Sequence, residues 1–384
     1  MIDIVAKAFT NIGVVARDIV SILLPNIPEN VYILYALNKI GAIANLIDLR
    51  AKSDILIDYL NESQSEIVVI SDIFMENAVE IFAKTKIKKW IIASPYLSIT
   101  GMLGKTLRIF HKKSVLNTNF ITWKDFIEYP RKGRDKLLLN ESCKEEDAAC
   151  IFHTSGTTGT PKGVVISNKC FNAMALQYRY SGMEFERGDS FFNQVPPFLA
   201  YNTILATHLP LSLHMKIIML PDYRPDLFAK NIRKLKPNHA IAGPSDWSNF
   251  LITSYGNNID FSFLKTMASG SDMLRVSTKK MLNNYMKRRG TKYGIMEGYG
   301  MTEVGSAACT NLPQCDVLES VGIPLVLNNF SVYDNEASRE LAYGETGEIC
   351  MMGPTIMCGY FNNPEETNRV LKKHEDGKIC GARI

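Results

Sequence analysis

The sequence predicts an α/β fold, with two mostly parallel sheets, helices layered around them and a small, incomplete antiparallel β subdomain at the end. Three observations carry this. Short apolar runs alternate with segments of helical period, the pattern of parallel strands joined by helical crossovers. At 384 residues the chain is longer than one hydrophobic core usually serves, so two or more lobes are expected. From about Glu319 the helical segments give way to short strands and turns.

Taken in order, Ile19-Val20-Ser21-Ile22-Leu23-Leu24 reads as a buried strand. Residues 29–40 read as a helix, with Val31, Leu34, Leu37 and Ile40 recurring on one face. Ile67-Val68-Val69-Ile70, Trp90-Ile91-Ile92-Ala93 and Ile217-Ile218-Met219-Leu220 are further strands. Residues 226–235 form a helix, His239-Ala240-Ile241-Ala242 and Thr266-Met267-Ala268-Ser269 are strands, and a helix covers 276–288. Strands at Val321-Gly322-Ile323-Pro324, Phe330-Ser331-Val332-Tyr333 and 348–352 make up the terminal β region. The expected organisation is a first α/β subdomain over 1–145, a second over 146–318, and part of a β-barrel over 319–384.

Composition excludes several classes. The chain is 46% hydrophobic and 21% charged, as in ordinary globular proteins. A net charge of +4, thinly spread, does not argue for nucleic acid. The eight cysteines show no CxxC pair and no metal spacing, so all read as reduced thiols in a cytoplasmic protein. No apolar run approaches the ~20 residues of a membrane span, and Asp3 inside the first apolar stretch argues against a signal peptide. Residues 97–117 mix apolar side chains with Lys105, Arg108, Lys112 and Lys113. They read either as a crossover with a solvated basic edge or as a weak membrane-surface contact.

The most informative stretch is His153-Thr154-Ser155-Gly156-Thr157-Thr158-Gly159-Thr160-Pro161-Lys162-Gly163-Val164, set between two apolar runs. Glycines let backbone N–H groups converge on an anion, hydroxyls add donors, and a lysine adds charge, so the loop suits phosphates. It is not a Walker loop. The chain's Gly104-Lys105-Thr106 has Ile99 where that pattern needs its first glycine.

This run resembles the signature loop of the adenylate-forming superfamily: acyl-CoA synthetases, luciferases and the adenylation domains of peptide synthetases. Further stretches match in the same order. Ser269-Gly270-Ser271-Asp272-Met273-Leu274 resembles the adenine-side turn, and Glu297-Gly298-Tyr299-Gly300-Met301-Thr302-Glu303 the aromatic and magnesium motif. Gly347-Glu348-Ile349, Gly353-Pro354 and Gly359-Tyr360-Phe361-Asn362-Asn363-Pro364-Glu365-Glu366-Thr367 resemble the later barrel segment. Together these cover roughly residues 15 to 377.

The resemblance implies that a carboxylate and Mg-ATP give an acyl-adenylate, which is then passed to coenzyme A. Thr154, Ser155, Gly156, Thr157, Thr158, Gly159 and Lys162 would hold the phosphates. Gly270, Ser271, Gly298, Tyr299, Gly300, Met301 and Thr302 would hold the nucleotide. Glu303 would bind Mg²⁺, and Thr302, Glu303 and Lys162 would be catalytic. A tyrosine between two glycines leaves its ring face open to stack on a base, and Mg²⁺ takes hard oxygen ligands.

For the acid, Phe198 and Leu199 are the candidates. Leu199 stands where the family commonly has an aromatic residue or histidine, a departure at the carboxylate gate. No acidic residue occurs between Asp189 and Asp222, which disfavours an amino acid and fits a fatty or aromatic acid. The acceptor is CoA or, alternatively, a carrier-protein thiol; a third reading is a non-catalytic remnant that binds nucleotide. The family's ribose aspartate motif should follow Asp376-Gly377 but does not, so the expectation is a large N-terminal domain trimmed at both ends, binding ATP but turning over slowly.

Overall fold

Runs of β-branched and aliphatic residues form strands wherever helices can cover both faces of a sheet. A computed structural model of the protein describes residues 1–96, 120–128, 144–154, 161–253, 259–334, 339–373 and 379–380. The expected surface segment 97–117 lies outside them. The chain divides into two compact units, one of residues 1–168 with 196–198, the other of residues 169–195 with 199–384.

In the first unit the strands are β1 (Ile19–Leu23), β2 (Ile43–Leu46), β3 (Ile67–Ser71), β4 (Lys89–Ala93), β5 (Phe120–Thr122), β6 (Ala148–His153) and β7 (Gly163–Ser167). They lie in the order β7-β6-β2-β1-β3-β4-β5. Every pairing is parallel except β6 with β7, which form an antiparallel hairpin. β3 is buried along its whole length, and Val68, Ile70 and Trp90 pack with Leu23, Leu56 and Leu60. The expected helix is Pro28–Ile40, with proline in its first turn and Gly41 at φ 83° ending it, a conformation that favours glycine. Leu34, Leu37 and Ile40 are buried as expected, while Val31 is half-buried.

The second unit holds β8 (Ser190–Asn193), β9 (Lys216–Met219), β10 (His239–Ala242), β11 (Thr266–Ser269), β12 (Met296–Tyr299), β13 (Cys309–Thr310) and β14 (Ile323–Pro324). Their order is β14-β13-β12-β11-β10-β8-β9. The five strands from β12 to β9 are parallel, and β13 and β14 add an antiparallel edge. Beyond this sheet β15 (Asn329–Tyr333) and β16 (Glu348–Met352) pair as an antiparallel ribbon. Phe192, Phe228, Trp247, Phe250 and Phe261 fill the core. Trp247 Nε1 donates to Ala268 O at 3.0 Å and fastens the helix Pro244–Ile252 to β11.

The predicted class holds: two mostly parallel sheets surrounded by helices. The helix expected over 226–235 is Phe228–Leu235, preceded by a 3₁₀ turn at Pro225–Leu227. Tyr201–His208 is an eight-residue π-helix that no sequence pattern announced. The expectation of reduced cysteines needs one correction. Cys150, Cys170, Cys309, Cys315 and Cys358 are thiols outside any disulfide, but Cys350 is disulfide-bonded. A disulfide needs only two close Cα atoms, which spacing along a sequence does not show. Among the described residues no helix is long and apolar enough to cross a membrane.

Candidate active site

In the first unit, the hairpin of β6 and β7 fixes both ends of the glycine-rich loop. Thr154 N donates to Lys162 O at 3.0 Å, and Lys162 N donates to Thr154 Oγ1 at 3.2 Å. This extends the ladder one step past His153 and Gly163. Ser155, Gly156, Thr157, Thr158 and Gly159 lie outside the described residues, so their roles stay expectations. The loop springs from the carboxyl end of β6, the edge at which parallel sheets bind ligands.

A buried polar chain supports that root. His153 Nε2 donates to Asn45 Oδ1 at 2.7 Å, Asn45 Nδ2 donates to Ser21 Oγ at 3.0 Å, and Ser21 Oγ meets Ser65 Oγ at 2.7 Å. The Tyr59 ring lies over the imidazole, with centroids 4.0 Å apart. Burial pushes the His153 pKa down to about 4, so the ring is neutral near pH 7.

In the second unit a cavity of about 180 Å³ opens at the carboxyl edge of the sheet. Gly270, Ser271, Gly298, Tyr299, Gly300, Met301 and Thr302, distant in sequence, all line it, and so does Leu199. Phe198 belongs to the other unit, where the Arg50 guanidinium carbon lies 5.2 Å from its ring centroid. The inner wall is apolar and includes Tyr178, Met183, Phe185, Phe191, Leu205 and Ile241. Among the described residues no charged side chain lines the cavity.

The backbone at the cavity mouth is tightly folded. Ala308 N donates to Tyr299 O at 2.8 Å and Ser306 N to Met301 O at 3.1 Å, so the chain doubles back on itself. A Cβ at Gly300 would lie 1.7 Å from Ser306 O. Ser271 at φ 72° and Ser306 at φ 101° both sit in the left-handed region, and both line the cavity. Such strain gathers at functional sites. Ser269 Oγ and Ser306 Oγ are buried and find no hydrogen-bond partner among the described residues, a further polar demand at this edge. The Tyr299 phenol is half-buried, and burial raises its pKa.

Glu303 sits beside the cavity in the turn Thr302–Val304 and is buried. Its Oε1 accepts from Tyr360 OH at 2.9 Å, and its backbone O accepts from Met357 N at 2.9 Å. Among the described residues its Oε2 accepts no hydrogen bond. No group of three or more His, Cys, Asp and Glu among the described residues could cage a metal ion. One carboxylate with a free oxygen nevertheless fits Mg²⁺, which usually takes one or two carboxylates and completes its shell with phosphate oxygens and water.

Sequence reasoning missed the apolar wall, Ser306 and the Tyr360 contact. Ser306 was findable, because it follows the Tyr299–Glu303 stretch by three residues. The wall was not, because its members come from separate elements.

Comparison with known proteins agrees with the ordered motifs. Residues 1–361 match the family described as AMP-binding enzyme. The chain is 27% identical over 379 residues to a probable 4-coumarate–CoA ligase of Dictyostelium discoideum, covering 97% of this chain and 66% of that protein. It is 26% identical over 367 residues to a long-chain-fatty-acid–CoA ligase of Bacillus subtilis, covering 94% of this chain and 64% of that one. It thus spans slightly less than two thirds of either relative. The crystal structure of a long-chain-fatty-acid–CoA ligase from Archaeoglobus fulgidus superposes with a TM-score of 0.81 at 24% identity, covering 99% of this chain and 72% of that one.

Proposed function

The chain belongs to the AMP-binding enzyme family, and on that premise we propose that it activates a carboxylic acid with ATP, giving an acyl-adenylate and pyrophosphate. The observation that carries this reading is the second-unit cavity. Seven motif residues form its polar mouth, and an uncharged apolar wall forms its depth. A polar mouth suits a nucleotide and a carboxylate, and an uncharged wall suits an acid without an amine. The acid is therefore a compact apolar one, fatty or aromatic.

The roles follow from chemistry. The Thr154–Lys162 loop supplies N–H groups, hydroxyls and an ammonium to the β- and γ-phosphates. Gly298 and Gly300 carry no side chain that could cover the Tyr299 ring, which lies against the adenine. Gly270 and Ser271 bound the nucleotide, and Leu199 takes the gate beside the carboxylate. Glu303 holds Mg²⁺, which neutralises charge on the phosphates when bound. Preorganised donors of this kind are worth roughly 3 kcal/mol each in such reactions. The second half-reaction transfers the acyl group to coenzyme A, the thiol used by the relatives named above.

Calorimetric titration of the protein with ATP and with a non-hydrolysable acyl-adenylate mimic tests the reading. Tighter binding of the mimic than of ATP, graded by its acyl group, is expected. Binding of neither would refute it.

A further inference from the structure

Tyr360 and Glu303 are 57 residues apart in sequence, yet the phenol OH donates to the carboxylate Oε1 at 2.9 Å. Both residues are only 8% exposed, so water does not compete freely for this bond. Separate contacts clamp the segment carrying Tyr360 against the turn carrying Glu303. Met357 N donates to Glu303 O at 2.9 Å. Cys170 Sγ donates to Thr355 O at 3.2 Å, and the same sulfur lies where a Cβ on Gly305 would be, 2.1 Å from it. Tyr360 is itself held, because its N donates to Thr367 Oγ1 at 2.8 Å. That threonine lies in the helix Pro364–Val370, capped by Asn363.

We propose that Tyr360 is a positioning residue for the metal carboxylate. Its hydroxyl occupies Oε1 and fixes the side chain's orientation, leaving Oε2 to face a divalent cation. A carboxylate tethered at one oxygen loses less freedom on binding an ion than one that swings. Partners that orient metal ligands in this way are commonly worth 10–100-fold in metal affinity. The inference rests on the reading of Glu303 as the metal ligand.

The test uses the protein as it stands, with ATP as ligand and Mn²⁺ as the metal. Calorimetry measures the factor by which Mn²⁺ strengthens ATP binding in wild type, Tyr360→Phe and Glu303→Gln. Thermal unfolding of each variant without ligand confirms that it folds. In Tyr360→Phe the Mn²⁺ enhancement should fall roughly tenfold or more, while metal-free ATP affinity stays within about twofold, a split that a merely packing role would not produce. If Tyr360→Phe keeps the full enhancement while Glu303→Gln loses it, the positioning role is wrong and the metal role of Glu303 stands. If Glu303→Gln also keeps it, the metal reading itself falls and takes this inference with it.

Discussion

Lys279 is completely buried, with its ammonium 2.9 Å from Glu297 Oε2 and 2.7 Å from Asp316 Oδ1. Glu297 immediately precedes Gly298, so this triad sits at the base of the stretch lining the cavity. It ties the helix Val276–Lys287 to β12 and to the loop after β13.

Removing the cation strands the Glu297 carboxylate, whose side chain is only 14% exposed, while Asp316 at the surface keeps access to water. Lys279→Met should therefore cost about 3–5 kcal/mol, the usual penalty for breaking a buried ion pair from one side. Urea unfolding measures it, and a loss below about 1 kcal/mol would contradict the account of a buried lysine held by Glu297.

Gly300→Ala addresses the fold-back at the cavity mouth. The added methyl would lie 1.7 Å from Ser306 O, a backbone atom held by its own turn, so the mouth must open. Binding of an acyl-adenylate mimic should weaken at least tenfold, with about 1–3 kcal/mol lost from stability. Calorimetry beside circular dichroism separates the two, and native binding would show that the turn yields easily.

Phe185 is part of the apolar wall, its ring 5.0 Å from that of His239. Phe185→Ala deepens the cavity without touching the polar mouth. Preference between long and short acyl-adenylate mimics should move toward the longer by roughly tenfold or more, the scale on which apolar pockets discriminate. Competition binding reads the ratio, and an unchanged ratio would mean the acyl group lies elsewhere.

His153 sets a pH dependence. Burial lowers its pKa from 6.5 to about 4, so between those values the unfolded chain binds more protons than the folded one. The stabilisation is fully present above pH 6.5 and is lost as pH falls toward 4. The loss reaches about 2 kcal/mol by pH 5. Burial shifts His208 in the same direction, also to about 4. Urea titrations at pH 7 and pH 5 should therefore show a smaller acid loss in His153→Gln than in wild type. Equal losses in the two proteins would exclude His153 as a contributor.

Much of the scaffold was readable because its strands announce themselves. β1, β3, β4 and β10 are short apolar runs buried on both faces, and such runs have few alternatives in an α/β chain. Less was readable where pairing partners decide the outcome. Ile323–Pro324 reads as one short strand among several, yet it pairs with Cys309–Thr310 and extends the second sheet. The candidate site divides the same way. The mouth residues fall within two contiguous motifs, so their order could be read. Tyr178, Phe191, Leu205 and Ile241 converge only once the chain is folded, and each alone resembles ordinary core. The bond from Tyr360 to Glu303 is the extreme case, since composition cannot say which tyrosine reaches which acid.

The π-helix Tyr201–His208 is locked by Asn202, whose Nδ2 donates to Asn193 Oδ1 at 2.9 Å and whose Oδ1 accepts from Thr207 Oγ1 at 3.0 Å. Its widened turn places Tyr201, Leu205 and Leu209 on the cavity lining together. Excising a single residue from it would let the coil tighten toward 3.6 residues per turn and change the phase at which its side chains meet the cavity. Leu209 would then leave the lining, and the chamber would change shape although every wall residue remained in the chain. Insertions and deletions here are therefore a route to altered selectivity that point substitutions cannot imitate.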